Sequence, residues 1–114
     1  MLSDVPNLAF TIGYTNASWT LKADLVAEYL CRLLNHMDAN GYEVCASHLN
    51  DPSVKEEPIL DFTSGYVQRS VAEFPRQGSR APWRVYQNYA LDRMMLKRTR
   101  VDDDEMEFAR AGRL

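Results

Sequence analysis

Glycine is thinly spread in this 114-residue chain. Gly13, Gly41, Gly65, Gly78 and Gly112 stand too far apart to form a G-x-G-x-x-G dinucleotide loop. Cysteine is scarcer still, and Cys31 and Cys45 are too few for a disulfide framework; in a reducing compartment they are free thiols. No apolar run approaches the roughly 20 residues needed to cross a bilayer. Met1-Leu2-Ser3-Asp4-Val5-Pro6 has neither a basic n-region nor an apolar h-region, so no signal peptide is read there and the expected location is cytoplasmic. An excess of positive charge is also missing. Thirteen Lys and Arg against 16 Asp and Glu give a net charge of −3, which offers no general attraction to nucleic acid or to an anionic membrane.

What is present reads as an α/β chain, mainly helical. Leu8-Ala9-Phe10-Thr11-Ile12 has the apolar continuity of a strand buried on both faces, and Gly13 ends it. A long helix follows, with Asn16, Ser18 and Thr20 all able to cap its start. Leu25, Val26, Tyr29, Leu30, Leu33, Leu34 and Met37 recur at helical spacing and cover roughly half the circumference, more than one neighbour can bury. Asp24, Glu28, Arg32 and Asn35 fall on the opposite side, where Glu28 and Arg32 are spaced for an i,i+4 pair. Asn40-Gly41 stops the helix, because glycine readily takes the left-handed conformation there.

Ala46 to Pro58 reads as a polar surface loop, and Arg76 to Pro82 as another. Short helices are expected from Ser64-Gly65 to Phe74 and from Trp83 to about Leu96. Asp102-Asp103-Asp104-Glu105 fits a turn between two short strands. A doubly buried strand needs partner strands for its N–H and C=O groups, and no second convincing central strand is legible. The missing partners favour a piece of a larger domain; dimerisation through the apolar helix face would supply them in another way.

Pro6-Asn7-Leu8-Ala9-Phe10-Thr11-Ile12-Gly13-Tyr14-Thr15-Asn16-Ala17-Ser18-Trp19-Thr20-Leu21-Lys22-Ala23-Asp24-Leu25 resembles the C-terminal end of the FAD domain in flavin-containing and Baeyer–Villiger monooxygenases, nearest to the ethionamide-activating type. Ser64-Gly65-Tyr66-Val67-Gln68-Arg69, Phe74-Pro75-Arg76-Gln77-Gly78, Pro82-Trp83, and Gln87-Asn88-Tyr89 followed by Asp92 fit as well. The resemblance implies the closing strand and long helix of a Rossmann-like FAD domain (residues 1–45), followed by an irregular helical C-terminal extension (46–114). It implies that Tyr14 to Thr20 forms a turn beside the flavin. Asn16, Ala17, Ser18 and Trp19 would then be cofactor contacts, with Tyr14 and Trp19 on the substrate pocket.

The implied enzyme uses NADPH to reduce FAD and inserts one oxygen atom into a ketone or onto sulfur or nitrogen. Its partners here would be the remaining FAD and NADPH domains and a small organic substrate. Because both nucleotide fingerprints and the family's catalytic arginine would lie upstream, no catalytic residue is carried over. The fragment alone is expected to bind neither cofactor and to be inactive.

Other groupings carry less. Cys31, His36, Cys45 and His48 invite a zinc reading, but Cys31 and His36 lie about 140° apart on a regular helix, and the paired C-x-x-C spacing is missing. No metal site is expected. Trp83, Tyr86 and Tyr89 among Arg80, Arg84 and Arg93 could stack on bases, yet the acidic total opposes it. The acidic block lacks the EF-hand spacing. A non-catalytic helical interaction module remains the alternative function.

Overall fold

The computed structural model describes residues 3–14, 17–58 and 76–110. Among them are helices α1 (Trp19–Asn40) and α2 (Tyr89–Arg98) and strands β1 (Val44–Ser47), β2 (Glu56–Pro58), β3 (Arg76–Gly78) and β4 (Met106–Ala109). The chain is α/β, with two small two-stranded sheets, β1–β4 and β2–β3. It divides into two compact units: Met1–Asn50 with Tyr86–Leu114, and Asp51–Val85. The expected division after residue 45 falls inside β1.

Ser18 is the cap that α1 uses: it is extended (φ −62, ψ 133) and its hydroxyl accepts from the Thr20 N–H. The helix closes at Gly41, whose φ of 69° lets Gly41 N–H reach Asp38 O while Tyr42 N–H reaches Met37 O. This is the Schellman arrangement. Leu25, Leu33 and Met37 are buried, whereas Val26, Tyr29 and Leu30 are half-buried. Leu34, expected inward, is 58% exposed. It lies at the far edge of the apolar arc, about 180° from Leu25, beyond what the neighbouring elements cover.

The expected Glu28–Arg32 pair is replaced by contacts to α2. Arg32 donates to Leu96 O and Thr99 O, and Glu28 stands 3.8 Å from Lys97. The last carbonyls of a helix have no intrahelical donor, and the guanidinium supplies them with one. α2 begins at Tyr89, later than the expected Trp83, because the Asn88 side chain caps it by accepting from Leu91 N–H at 3.0 Å.

The stretch read as a loop from Ala46 contains the end of β1, and β2 and β3 also lie in segments read as loops. β1 pairs antiparallel with β4, Val44 opposite Ala109 and Ser47 opposite Met106; β2 pairs with β3, Glu56 opposite Gly78. Strands this short carry no periodicity of their own, and their partners are remote in sequence. The acidic block does form a turn into β4, with Met106 N–H donating to Asp103 O, but α2 rather than a strand precedes it. The expected helix from Ser64 to Phe74 lies outside the described residues.

Leu8 to Ile12 joins no ladder among the described residues, and Leu8 and Phe10 are 40% and 38% exposed. The expectation of a strand buried on both faces is corrected here. Such a strand needs a partner at each edge, and the described residues offer none to this segment. Just before it, residues 3–7 line the free edge of β1. Asp4 N–H donates to Ser47 O, Asn7 N–H to Cys45 O, and the Asn7 side chain bonds Cys45 N–H and Glu43 O. The Asn7 amide group thereby acts as one more peptide unit of an edge strand.

Leu33, Met37, Cys45 and Val101 form the buried centre of the larger unit, with Tyr29, Leu30, Tyr42, Met106 and Phe108 against it. Tyr42 stacks on Phe108 at 5.3 Å between ring centroids. In the smaller unit a Cβ on Gly78 would lie 2.5 Å from Trp83 Cβ and 2.7 Å from Val54 Cγ1. Glycine at that position lets the backbone approach both side chains.

Candidate functional site

The turn that hands the chain to α1 is built on two contacts that the sequence places six and 78 residues apart. The first joins Gly13 to Trp19. A Cβ built on Gly13 would fall inside the Trp19 indole, 2.6 Å from its Cε2. The ring therefore folds back over the backbone of Gly13, which only a residue without a side chain permits. Trp19 is still 56% exposed, so much of the indole is open to a neighbour.

The second contact holds Tyr14. Its hydroxyl donates to Asp92 Oδ2 at 2.5 Å, and Lys22 Nζ donates to the same oxygen at 2.9 Å. The Lys22 ammonium also stands 5.8 Å from the centre of the Tyr14 ring. Tyr14 and Asp92 are each 3% exposed. Burial holds the Tyr14 phenol far above the usual tyrosine range, and the hydrogen bond to Asp92 and that carboxylate's negative charge add to the effect. At neutral pH Tyr14 is therefore a fixed hydrogen-bond donor.

Of the residues expected at this site, Tyr14 is buried, Ala17 and Ser18 are exposed at the helix start, Trp19 is the first helical residue, and Asn16 lies outside the described residues. Ser18 is occupied in capping, with its Oγ also 2.8 Å from Thr20 Oγ1. The first turn of α1 carries no acidic residue. Unpaired N–H groups and the positive end of a helix dipole are characteristic of such a start. Beside it stands the exposed face of Trp19.

Lys22 and Asp92 are the members of this cluster whose roles sequence reading missed. A signal existed for each. Lys22 projects onto the same stripe of α1 as Tyr29 and Leu33, so a cation sits in an otherwise apolar face. Asp92 is spaced three and four residues before Met95 and Leu96, both half-buried.

The cysteines and histidines do not converge. Cys31 is exposed and Cys45 buried, where desolvation raises its thiol pKa. His36 lies 4.9 Å from the Phe108 ring. His48 is held between Asp4 (Nδ1 to Oδ1, 2.6 Å) and Glu107 (Nε2 to Oε2, 2.7 Å), and its pKa is raised mainly by the Asp4 hydrogen bond. Among the described residues no group of three or more His, Cys, Asp or Glu could hold a metal ion, and no helix is long and apolar enough to cross a membrane.

Comparison with known proteins gives a consistent result. The chain is 54% identical over 110 residues to the FAD-containing monooxygenase EthA of Mycobacterium tuberculosis, covering 96% of the chain and 22% of that protein. EthA of Mycolicibacterium smegmatis is 49% identical over the same share of each. A protein named probable FAD-binding monooxygenase AlmA, from an Acinetobacter species, is 47% identical over 98% of the chain and 23% of its own length. The chain thus spans about a fifth of the length of the curated relatives it matches. No family model and no solved structure matches it.

Proposed function

Homologous over 96% of its length to a C-terminal segment of FAD-containing monooxygenases, this chain is, we propose, the part of such an enzyme that closes the flavin side of the active site. The observation that carries the reading is the identity of 46–54%, over 95–98% of the chain, with eight monooxygenase sequences. Bound FAD, reduced by NADPH, would activate dioxygen, one atom of which would be inserted next to a ketone carbonyl, as in Baeyer–Villiger oxidation, or added to sulfur or nitrogen, the other leaving as water.

The chain's own residues would bind and shape. Asn16, Ala17, Ser18 and Trp19 would face the flavin, their N–H groups favouring negative charge on the reduced ring. Trp19 would present a large rigid surface to substrate. Tyr14, buried and with its hydroxyl committed to Asp92, would support the wall of that pocket from behind. The segment alone, without an upstream nucleotide fingerprint, would neither retain FAD and NADPH nor turn over. The enzyme would work in the cytoplasm.

Spectroscopy of the full-length polypeptide tests this. A bound flavin spectrum and NADPH oxidation stimulated by a ketone or a sulfide are expected, and a full-length protein without flavin refutes the reading. Titration of FAD into the 114-residue chain is expected to give no tight binding. Leu34, 58% exposed in the middle of α1, favours the second reading, a self-associating helical module. Light scattering that finds a defined dimer with a cooperative melt for the isolated chain would support it.

A further inference from the structure

We infer that Asp92 is a positioning residue for the turn from Tyr14 to Thr20, an inference that rests on the proposed place of that turn beside a flavin. Tyr14 stands at the entrance to the turn and Lys22 two residues past its exit. Asp92 Oδ2 receives the Tyr14 hydroxyl at 2.5 Å and the Lys22 ammonium at 2.9 Å. A single buried oxygen thereby ties together both ends of the turn. That oxygen belongs to α2, so the C-terminal extension sets the geometry of the strand-to-helix connection far upstream.

Docking of one helix on the other does not require this cluster. Arg32 already joins α1 to α2 at the opposite end of α2, through Leu96 O and Thr99 O, and Lys97 stands near Glu28. Those contacts touch no residue of the turn. The Asp92 cluster differs from them in two ways: it is buried, and it includes Tyr14, which belongs to neither helix. A buried charge pair is weak evidence of added stability, and fixing one arrangement among several is the use it is suited to. Two donors on one buried carboxylate hold Tyr14 and Lys22, at the two ends of the turn, in a single low-energy arrangement. Displacing Tyr14 would move Gly13, and with it the surface on which the Trp19 indole rests.

The test uses the full-length flavoprotein and reads flavin binding rather than turnover. Apoprotein is titrated with FAD, and dissociation constants and visible flavin bands are compared among variants. Asp92→Asn keeps the shape but loses the charge; Tyr14→Phe keeps the ring and packing but loses the hydroxyl. Each is expected to weaken FAD binding about tenfold, the worth of one charge-assisted hydrogen bond, and to shift the visible bands. Arg32→Met, which loosens the same two helices away from the turn, is expected to change neither. The proposal is overturned if Asp92→Asn and Tyr14→Phe bind FAD with wild-type affinity and spectrum. It is equally overturned if Arg32→Met matches them, since the effect would then be general helix docking. A wild-type protein that takes up no FAD refutes the functional reading beneath the proposal, a result distinct from both.

Discussion

Replacing Asp92 by alanine removes a carboxylate that two buried donors share. The Tyr14 hydroxyl and the Lys22 ammonium both bond its Oδ2, and the side chains of Lys22 and Asp92 are 14% and 5% exposed. Losing one partner of a buried pair costs about 3–5 kcal/mol, because the other charge stays out of water without compensation. Lys22 keeps some solvent access, which places the cost near the lower end, at about 3 kcal/mol, or a factor on the order of a hundred in an opening equilibrium. Hydrogen exchange reads that equilibrium locally. In the full-length protein, amides in the second turns of α1 and α2, which bond within their helices, are expected to exchange on the order of a hundredfold faster in Asp92→Ala. The triple variant Tyr14→Phe, Lys22→Met, Asp92→Leu removes all the polar groups together and is expected to recover most of the protection, as apolar replacements of buried ion pairs do. Wild-type exchange rates in Asp92→Ala would refute the reasoning. So would a triple variant as unprotected as the single one, since shape and not charge would then be the cause.

Gly41→Ala is expected to lower stability by about 1 kcal/mol, read as a shifted urea midpoint with an unchanged slope. The nearest atoms to an added Cβ are 3.7 Å away on Arg110, so the φ of 69° is the whole penalty. Gly13→Ala is expected to swing the Trp19 indole off the backbone, giving a red-shifted, more quenchable tryptophan emission; unchanged emission would show that the ring does not rest there. His48 should titrate above its ordinary value of 6.5. Its protonated form is the favoured one in the fold, so the contribution to stability is complete below pH 6.5 and fades as pH rises through the higher folded value. Proton NMR of the His48 ring checks this, and Asp4→Asn and Glu107→Gln are each expected to bring the titration back toward 6.5.

The long helix was legible in the sequence because each of its determinants is local. Apolar residues at three- and four-residue intervals, a serine that caps and a glycine that tolerates the left-handed conformation lie on the segment itself. The resemblance in Pro6 to Leu25 was legible for the same reason, being a continuous run of residues. Among capping candidates the sequence left Asn16, Ser18 and Thr20 equal, and backbone geometry at Ser18 decided between them.

The rest needed remote partners. Val44 to Ser47 has no alternation to announce a strand, and becomes one because Met106 to Ala109 arrives beside it. Leu8 to Ile12 has the composition of a central strand, yet it joins no ladder among the described residues, where no edge is offered to it. A strand is stabilised by hydrogen bonds to another segment, whereas a helix closes its own. The same distinction governs the site. Gly13, Ser18 and Trp19 are neighbours in the chain, so the start of α1 could be located from the sequence. The Tyr14, Lys22 and Asp92 cluster exists because α2 packs on α1, and the meeting of a buried acid with a phenol 78 residues away was the decision of the tertiary structure.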